Sequence, residues 1–189
     1  MLRRSTMMIE RIRREHSYIV RLLAILRQKV EQLKNEQPIN YSLVAEIVDY
    51  LSAHAEKVHH PKEDILYRHY LQHYGAQRTI ENLEQEHISL AKETARFAEI
   101  VQMILNDAVV PHDVFLEHLE AFITSQRRHL DIEERLVLPL IAESFTTQDW
   151  QTVESQWLIN EDDPVFGKTI ADHYQQLAER VKQSDREWA

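Results

Sequence analysis

An all-α chain, an antiparallel up-down four-helix bundle carrying a C-terminal helical extension, is specified jointly by three features of the sequence. Only two glycines and five prolines stand among 189 residues, too few turn formers for a fold of many short strands. Apolar side chains recur at three- and four-residue intervals over stretches much longer than a strand. The breaks between those stretches are short, and long helices joined by short links pack antiparallel. We expect the bundle over residues 1–145 and the extension, packed on it, over 146–189.

The first helix follows from Ile9, Ile12, Ile19, Leu23, Leu26, Val30 and Leu33, which predict a span from about Met7 to Lys34, ended by "NEQPIN". Val44, Ile47, Leu51, Ala55 and Val58 begin a second helix that continues past Pro61 to Leu66 and Tyr70. A kink is predicted where the proline removes a hydrogen bond, and Gly75 closes the element. From about Gln77, the series Ile80, Leu83, Leu90, Thr94, Ala98, Val101 and Leu105 makes a third helix. "NDAVVPHD" interrupts it before Phe115, Phe122, Leu136 and Leu140 make a fourth. Beyond Ser144, "TTQDWQTVESQW" predicts a short capped helix from near Thr147, and "DDPVFG" turns the chain into a final helix near 168–186.

Composition narrows the chemistry. The net charge of -9 disfavours nucleic acid and anionic membrane surfaces, and no basic patch concentrates against it. The start, "MLRRSTMMIERIRREH", is basic but has no apolar stretch behind it. No segment approaches the ~18 apolar residues of a membrane span, so a cytoplasmic protein without membrane association is expected. With no cysteine, disulfides, thiolate zinc sites, iron–sulfur clusters and cysteine nucleophiles are excluded, and any metal must be held by His, Asp and Glu.

The eleven histidines supply the functional signal. His16 precedes His59 by 43 residues and His87 precedes His129 by 42, so the order His, gap, HxxxE occurs twice, as in a duplicated helical hairpin. His16 and His59 each lie about 18 residues from the first turn, roughly 27 Å at the helical rise, which sets them at one level. The same count applies to His87 and His129 about the turn near Pro111. Facing agrees, because His16 falls in the stripe of Ile12, Ile19 and Leu23, His87 in that of Leu83 and Leu90, and His129 with Glu133 in that of Phe122, Leu136 and Leu140. His59 follows Leu51 and Ala55, whereas His60 aligns with Glu56 and Asp64 on a polar side. The candidate metal ligands are therefore His16, His59, Glu63, His87, His129 and Glu133, since six such groups buried in one layer are costly without a metal pair to satisfy them. His69 and His73 are expected as a solvated surface pair and His112 and His173 as exposed. His54 and His118 lie beside the core stripes, and Tyr70 is assigned to packing.

These residues resemble the hemerythrin-like, or HHE cation-binding, proteins of bacterial type. The resemblance rests on "REH" at His16, "HHPKED" with His59 and Glu63, "QEH" at His87 and "HLDIEERLVLPL" with His129 and Glu133, and it covers roughly residues 8–145. It implies a bundle holding two non-haem iron ions, bridged by the two carboxylates and an oxo or hydroxo group, with the histidines as terminal ligands. Manganese and zinc also suit the donor set. Oxygen-carrying members have HxxxH on the third helix, where this chain has Ala91, and place the last carboxylate at the position of Glu134; Glu133 is preferred because it follows the apolar stripe. The missing histidine leaves an open coordination position, so simple dioxygen transport is not expected. The resemblance implies a protein that binds or senses dioxygen, nitric oxide or redox state, with no assigned protein partner. The alternative is a diiron enzyme acting on peroxide, nitric oxide or ferrous iron.

Overall fold

The computed structural model describes residues 7–157 and 162–188, and every regular element among them is helical. The basic start of the chain, with Arg3 and Arg4, lies outside the described residues. Helix α1 spans Met7–Lys34. Helix α2, Tyr41–Tyr50, runs through a π-helical segment, Leu51–His59, directly into α3, His60–Tyr74. Helix α4 spans Arg78–Leu105. Helix α5, His112–Ile132, passes through a second π segment, Glu133–Val137, into α6, Leu138–Ser144. Thus four long helical rods form the bundle, with α1 against α5, α2 and α3 against α4, and α4 against α5.

The kink expected near Pro61 is replaced by a continuous rod with a widened turn. Proline cannot donate to the carbonyl four residues back and its ring collides with it, and an i→i−5 turn just upstream relieves that conflict. The His60 backbone N–H donates to the Ala55 carbonyl oxygen, five residues back. The fourth rod repeats the device, for Leu138 N–H donates to the Glu133 carbonyl oxygen just before Pro139.

The core is two apolar clusters separated by a polar layer. On one side, Ile19 to Leu33 of α1 meet Leu43 to Ala55, Phe97 and Val101, and Phe115 to Leu130. On the other, Met8, Ile9 and Ile12 meet Leu66, Tyr67, Tyr70, Ile80, Leu83, Val137, Leu138 and Ile141. Each rod therefore switches cluster at the position where its predicted ligand stands. Two residues counted in the apolar stripes depart from expectation: Leu105 is 40% exposed at the end of α4, and Leu136 is 58% exposed while Val137 is 1% exposed. The π turn rotates the helix between Glu133 and Leu138, so a stripe counted at 3.6 residues per turn lands one residue off.

Helix α7, Thr147–Ser155, begins with a capping box in which Thr146 and Asp149 satisfy each other's backbone N–H groups. It lays Trp150 and Val153 on the second cluster. A short 3₁₀ turn, Asp172–Tyr174, leads into α8, Gln175–Trp188, which packs Leu177, Ala178 and Val181 on the first cluster. The Tyr174 hydroxyl donates to Asp49 at 2.6 Å and the Tyr50 hydroxyl to Asp163 at 2.7 Å, tying the C-terminal residues to the second rod. No helix among the described residues is long and apolar enough to cross a membrane.

Candidate metal centre

All six predicted residues converge in the polar layer, each at most 6% exposed. Glu63 Oε1 lies 2.7 Å from His16 Nε2 and 3.1 Å from His59 Nε2, while its Oε2 lies 3.4 Å from His87 Nε2. Glu133 mirrors it, with Oε2 3.3 Å from His16 Nε2 and Oε1 3.3 Å from His87 Nε2 and 3.1 Å from His129 Nε2. Each carboxylate thus turns one oxygen toward the His16 and His59 side and the other toward the His87 and His129 side. Of the two adjacent acids on the fourth rod, Glu133 is the inward one and Glu134 is a third exposed.

The imidazoles are aimed by four acids that sequence reasoning missed. His59 Nδ1 bonds Glu15 at 2.6 Å and His129 Nδ1 bonds Glu86 at 3.1 Å, so the acid preceding the first histidine of each half serves the second. His87 Nδ1 bonds Asp64 at 2.9 Å and His16 Nδ1 bonds Glu134 at 2.7 Å, so the acid following each inward glutamate serves the opposite half. When an imidazole is neutral, an Nδ1–H donated to its outer acid would leave Nε2 as the inward acceptor, the tautomer a ligating imidazole needs. Glu15 also accepts from Lys62 Nζ at 2.6 Å, and Lys62, 3% exposed, sits 5.1 Å over the Trp157 ring. Burial raises the Glu15 pKa, but His59 and Lys62 outweigh it and bring it to about 2.

Two histidines stand differently from expectation, and one tyrosine that carried no assignment joins the site. His60 is 7% exposed and lies inside the layer, stacked on the His87 ring, because the widened turn brings two consecutive residues inward where a regular helix admits one. His69 is buried too, its Nε2 2.7 Å from Asp149 beneath α7, while His73 is exposed as expected. Tyr67, not Tyr70, reaches the site: its buried hydroxyl donates to Glu133 Oε1 at 2.6 Å. Tyr70 packs beside Tyr74 and Phe145. His112 and His173 are exposed and His118 half-buried, and His54 is buried against Tyr50 and Asp163, outside the cluster.

The donor set fits a metal on two counts. His59 Nε2, Glu63 Oε2, His129 Nε2 and Glu133 Oε2 are buried and meet the layer only through ion-pair contacts of 3.1–3.4 Å that fall short of well-formed hydrogen bonds, so a bound cation would satisfy them better. His16, His59 and Glu63, and separately His60, Glu63, His87 and His129, also bring potential donor atoms within 4.8 Å of one another. Glu63 belongs to both groups.

Protonation answers the same geometry. Burial depresses His16, but hydrogen bonds with Glu133, Glu134 and Glu63 outweigh it and hold its pKa well above 6.5. His87 is held up to about 12 against burial by Asp64, Glu133 and Glu63, and His59 and His129 rise beside Glu63 and Glu133. Burial raises the two inward glutamates, and Glu63 also raises Glu133, yet the surrounding histidines keep both well below 4.5. Raised histidine values stabilise the fold fully below about 6.5, and that stability is lost as pH rises through the raised values. Depressed carboxylate values stabilise it above about 4.5, and that stability is lost as pH falls through the depressed values. Chelator-stripped protein should therefore melt highest between roughly pH 4.5 and 6.5 and progressively lower above that, whereas metal, which displaces those protons, should abolish the alkaline decline. Parallel alkaline declines in stripped and metal-loaded protein would contradict competition for the same atoms.

No curated protein and no solved structure gives a significant match to this chain. A family model described as the hemerythrin HHE cation binding domain does match, over residues 7–141, the stretch that contains all four rods up to Ile141 and every residue of the layer. The chain belongs to the hemerythrin HHE cation-binding domain family.

Proposed function

We propose that the protein holds two non-haem irons in the polar layer and uses them to bind or sense dioxygen, nitric oxide or redox state in the cytoplasm. His16 and His59 would hold one ion and His87 and His129 the other, with Glu63 and Glu133 spanning the pair. The observation that carries this reading is the division of both carboxylates, one oxygen toward each histidine pair. Manganese and zinc remain compatible with the nitrogen and oxygen donors. When reduced, a bound iron pair supplies two electrons and open positions for a diatomic ligand.

The rest is the work of the protein's own groups. Glu15, Asp64, Glu86 and Glu134 orient the imidazoles and raise their basicity. The two apolar clusters exclude bulk water on either side. Ala91, half-buried four residues after His87, leaves room on the third rod for an external ligand. Tyr67, hydrogen-bonded to Glu133, favours the second reading, an enzyme consuming peroxide, nitric oxide or ferrous iron, because it places a proton donor beside the centre.

Elemental analysis after purification without chelators should find two metals per chain, and less than about one would refute the site. Diferrous protein should take up dioxygen or nitric oxide about once per metal pair and then oxidise slowly. Sustained turnover of peroxide, nitric oxide or ferrous iron, abolished in Glu63→Ala, would establish the enzyme instead.

A further inference from the structure

We infer that His60 is the hydrogen-bonding partner of an external ligand on the His87 and His129 side of the centre, and is not itself a metal ligand. The inference rests on the two-metal reading above. His60 is 7% exposed, and neither ring nitrogen hydrogen-bonds or pairs with any described residue. Neither nitrogen is among the fully buried atoms left without a partner, so the ring keeps a path to solvent, and one of its nitrogens lies within 4.8 Å of donor atoms of Glu63, His87 and His129. It is an unpartnered polar group at the edge of the layer.

Proximity alone would suggest a fifth histidine ligand, and the ring geometry argues against it. His60 and His87 stack with centroids 4.1 Å apart and planes within 6° of parallel. An imidazole lone pair lies in its ring plane, so a metal sits in the plane of each ring that binds it. Two stacked parallel rings share no such point, so a metal held by His87 would not also be held by His60. An N–H donated toward a ligand beside that metal is free of this restriction.

The duplicated half supplies the comparison with plain packing. The residue that follows His129, as His60 follows His59, is Leu130, 5% exposed and part of an apolar cluster. One half thus meets the packing requirement with a leucine, and the other places a hydrogen-bonding group against His87 of the third rod. The asymmetry puts the ligand on the His87 and His129 side.

The test compares His60→Leu, which copies the other half, with His60→Gln, which keeps an N–H donor. Iron-loaded proteins are titrated with azide and followed by visible absorbance, with iron per chain measured on the same samples. His60→Leu should retain two irons and bind azide about tenfold more weakly, the equivalent of one lost hydrogen bond. His60→Gln should recover most of the affinity. Iron falling below two in His60→Leu, with helicity retained, would make His60 a ligand and overturn the inference. Unchanged azide affinity in both variants would reduce it to packing, and if the leucine variant fails to fold, His60→Met takes its place, with weakened azide binding at two irons supporting the assignment and unchanged binding overturning it. Wild-type protein with two irons that does not bind azide overturns the inference alone, whereas wild-type protein with fewer than two irons overturns the two-metal reading on which it stands.

Discussion

Glu63→Ala should lose both metals and, after chelation, unfold with about 3–5 kcal/mol less stability than the chelated parent. The side chain is fully buried and contacts His16, His59 and His87, whose protonated forms it helps to hold. Removing it strands positive charge in the layer and leaves a cavity between the rods, both among the few mechanisms that cost more than a typical substitution. Glu134→Ala is the informative contrast, because that side chain is 33% exposed and touches the layer only through His16 Nδ1. It should keep its fold and both metals at saturation while weakening metal affinity by roughly 10–100-fold. Urea unfolding of stripped protein and metal counts at controlled free-metal concentration separate the two. A Glu63→Ala protein that still holds two metals would remove the spanning role assigned to that carboxylate.

The layer was legible in the sequence because it depends on quantities that barely vary. The helical rise is constant, so residues equidistant from a turn meet at one level, and His16, His59, His87 and His129 do so. What escaped is what depends on local winding. Counting at 3.6 residues per turn places His60 outside and Leu136 inside, and the π segments before Pro61 and Pro139 reverse both. Tyr67 escaped although it stands one regular turn after Glu63 in α3, because its hydroxyl crosses to Glu133 on the fourth rod, which spacing along one helix does not show.

The outer acids were missed for a different reason, although their signal stands in plain view as "EH" at Glu15 and Glu86 and as the acids Asp64 and Glu134 directly after the inward glutamates. Neighbours in a helix point about 100° apart, so an adjacent acid cannot serve its own histidine. That same angle aims Glu15 at His59 and Glu86 at His129, on the rods alongside.

Those two acids occupy equivalent positions in the duplicated halves, and their replacement should have unequal effects. Glu15 has a side chain 8% exposed and accepts from Lys62, itself 3% exposed, as well as from His59. Glu86 is 35% exposed at its side chain and pairs with His129. Glu15→Ala leaves a lysine buried without its carboxylate and should cost about 3–5 kcal/mol in stripped protein, whereas Glu86→Ala should cost about 1 kcal/mol or less. Metal affinity should fall in both, since each loses the acid that orients one imidazole. If stranded charge is the cause of the larger loss, Lys62→Met in the Glu15→Ala background should recover much of it, because the methionine keeps apolar volume beneath Trp157 without an ammonium to satisfy. Urea midpoints of the two single variants and the double variant decide the matter. Equal losses in the single variants, or no recovery in the double, would mean that the Lys62 and Glu15 pair does not set the difference between the halves.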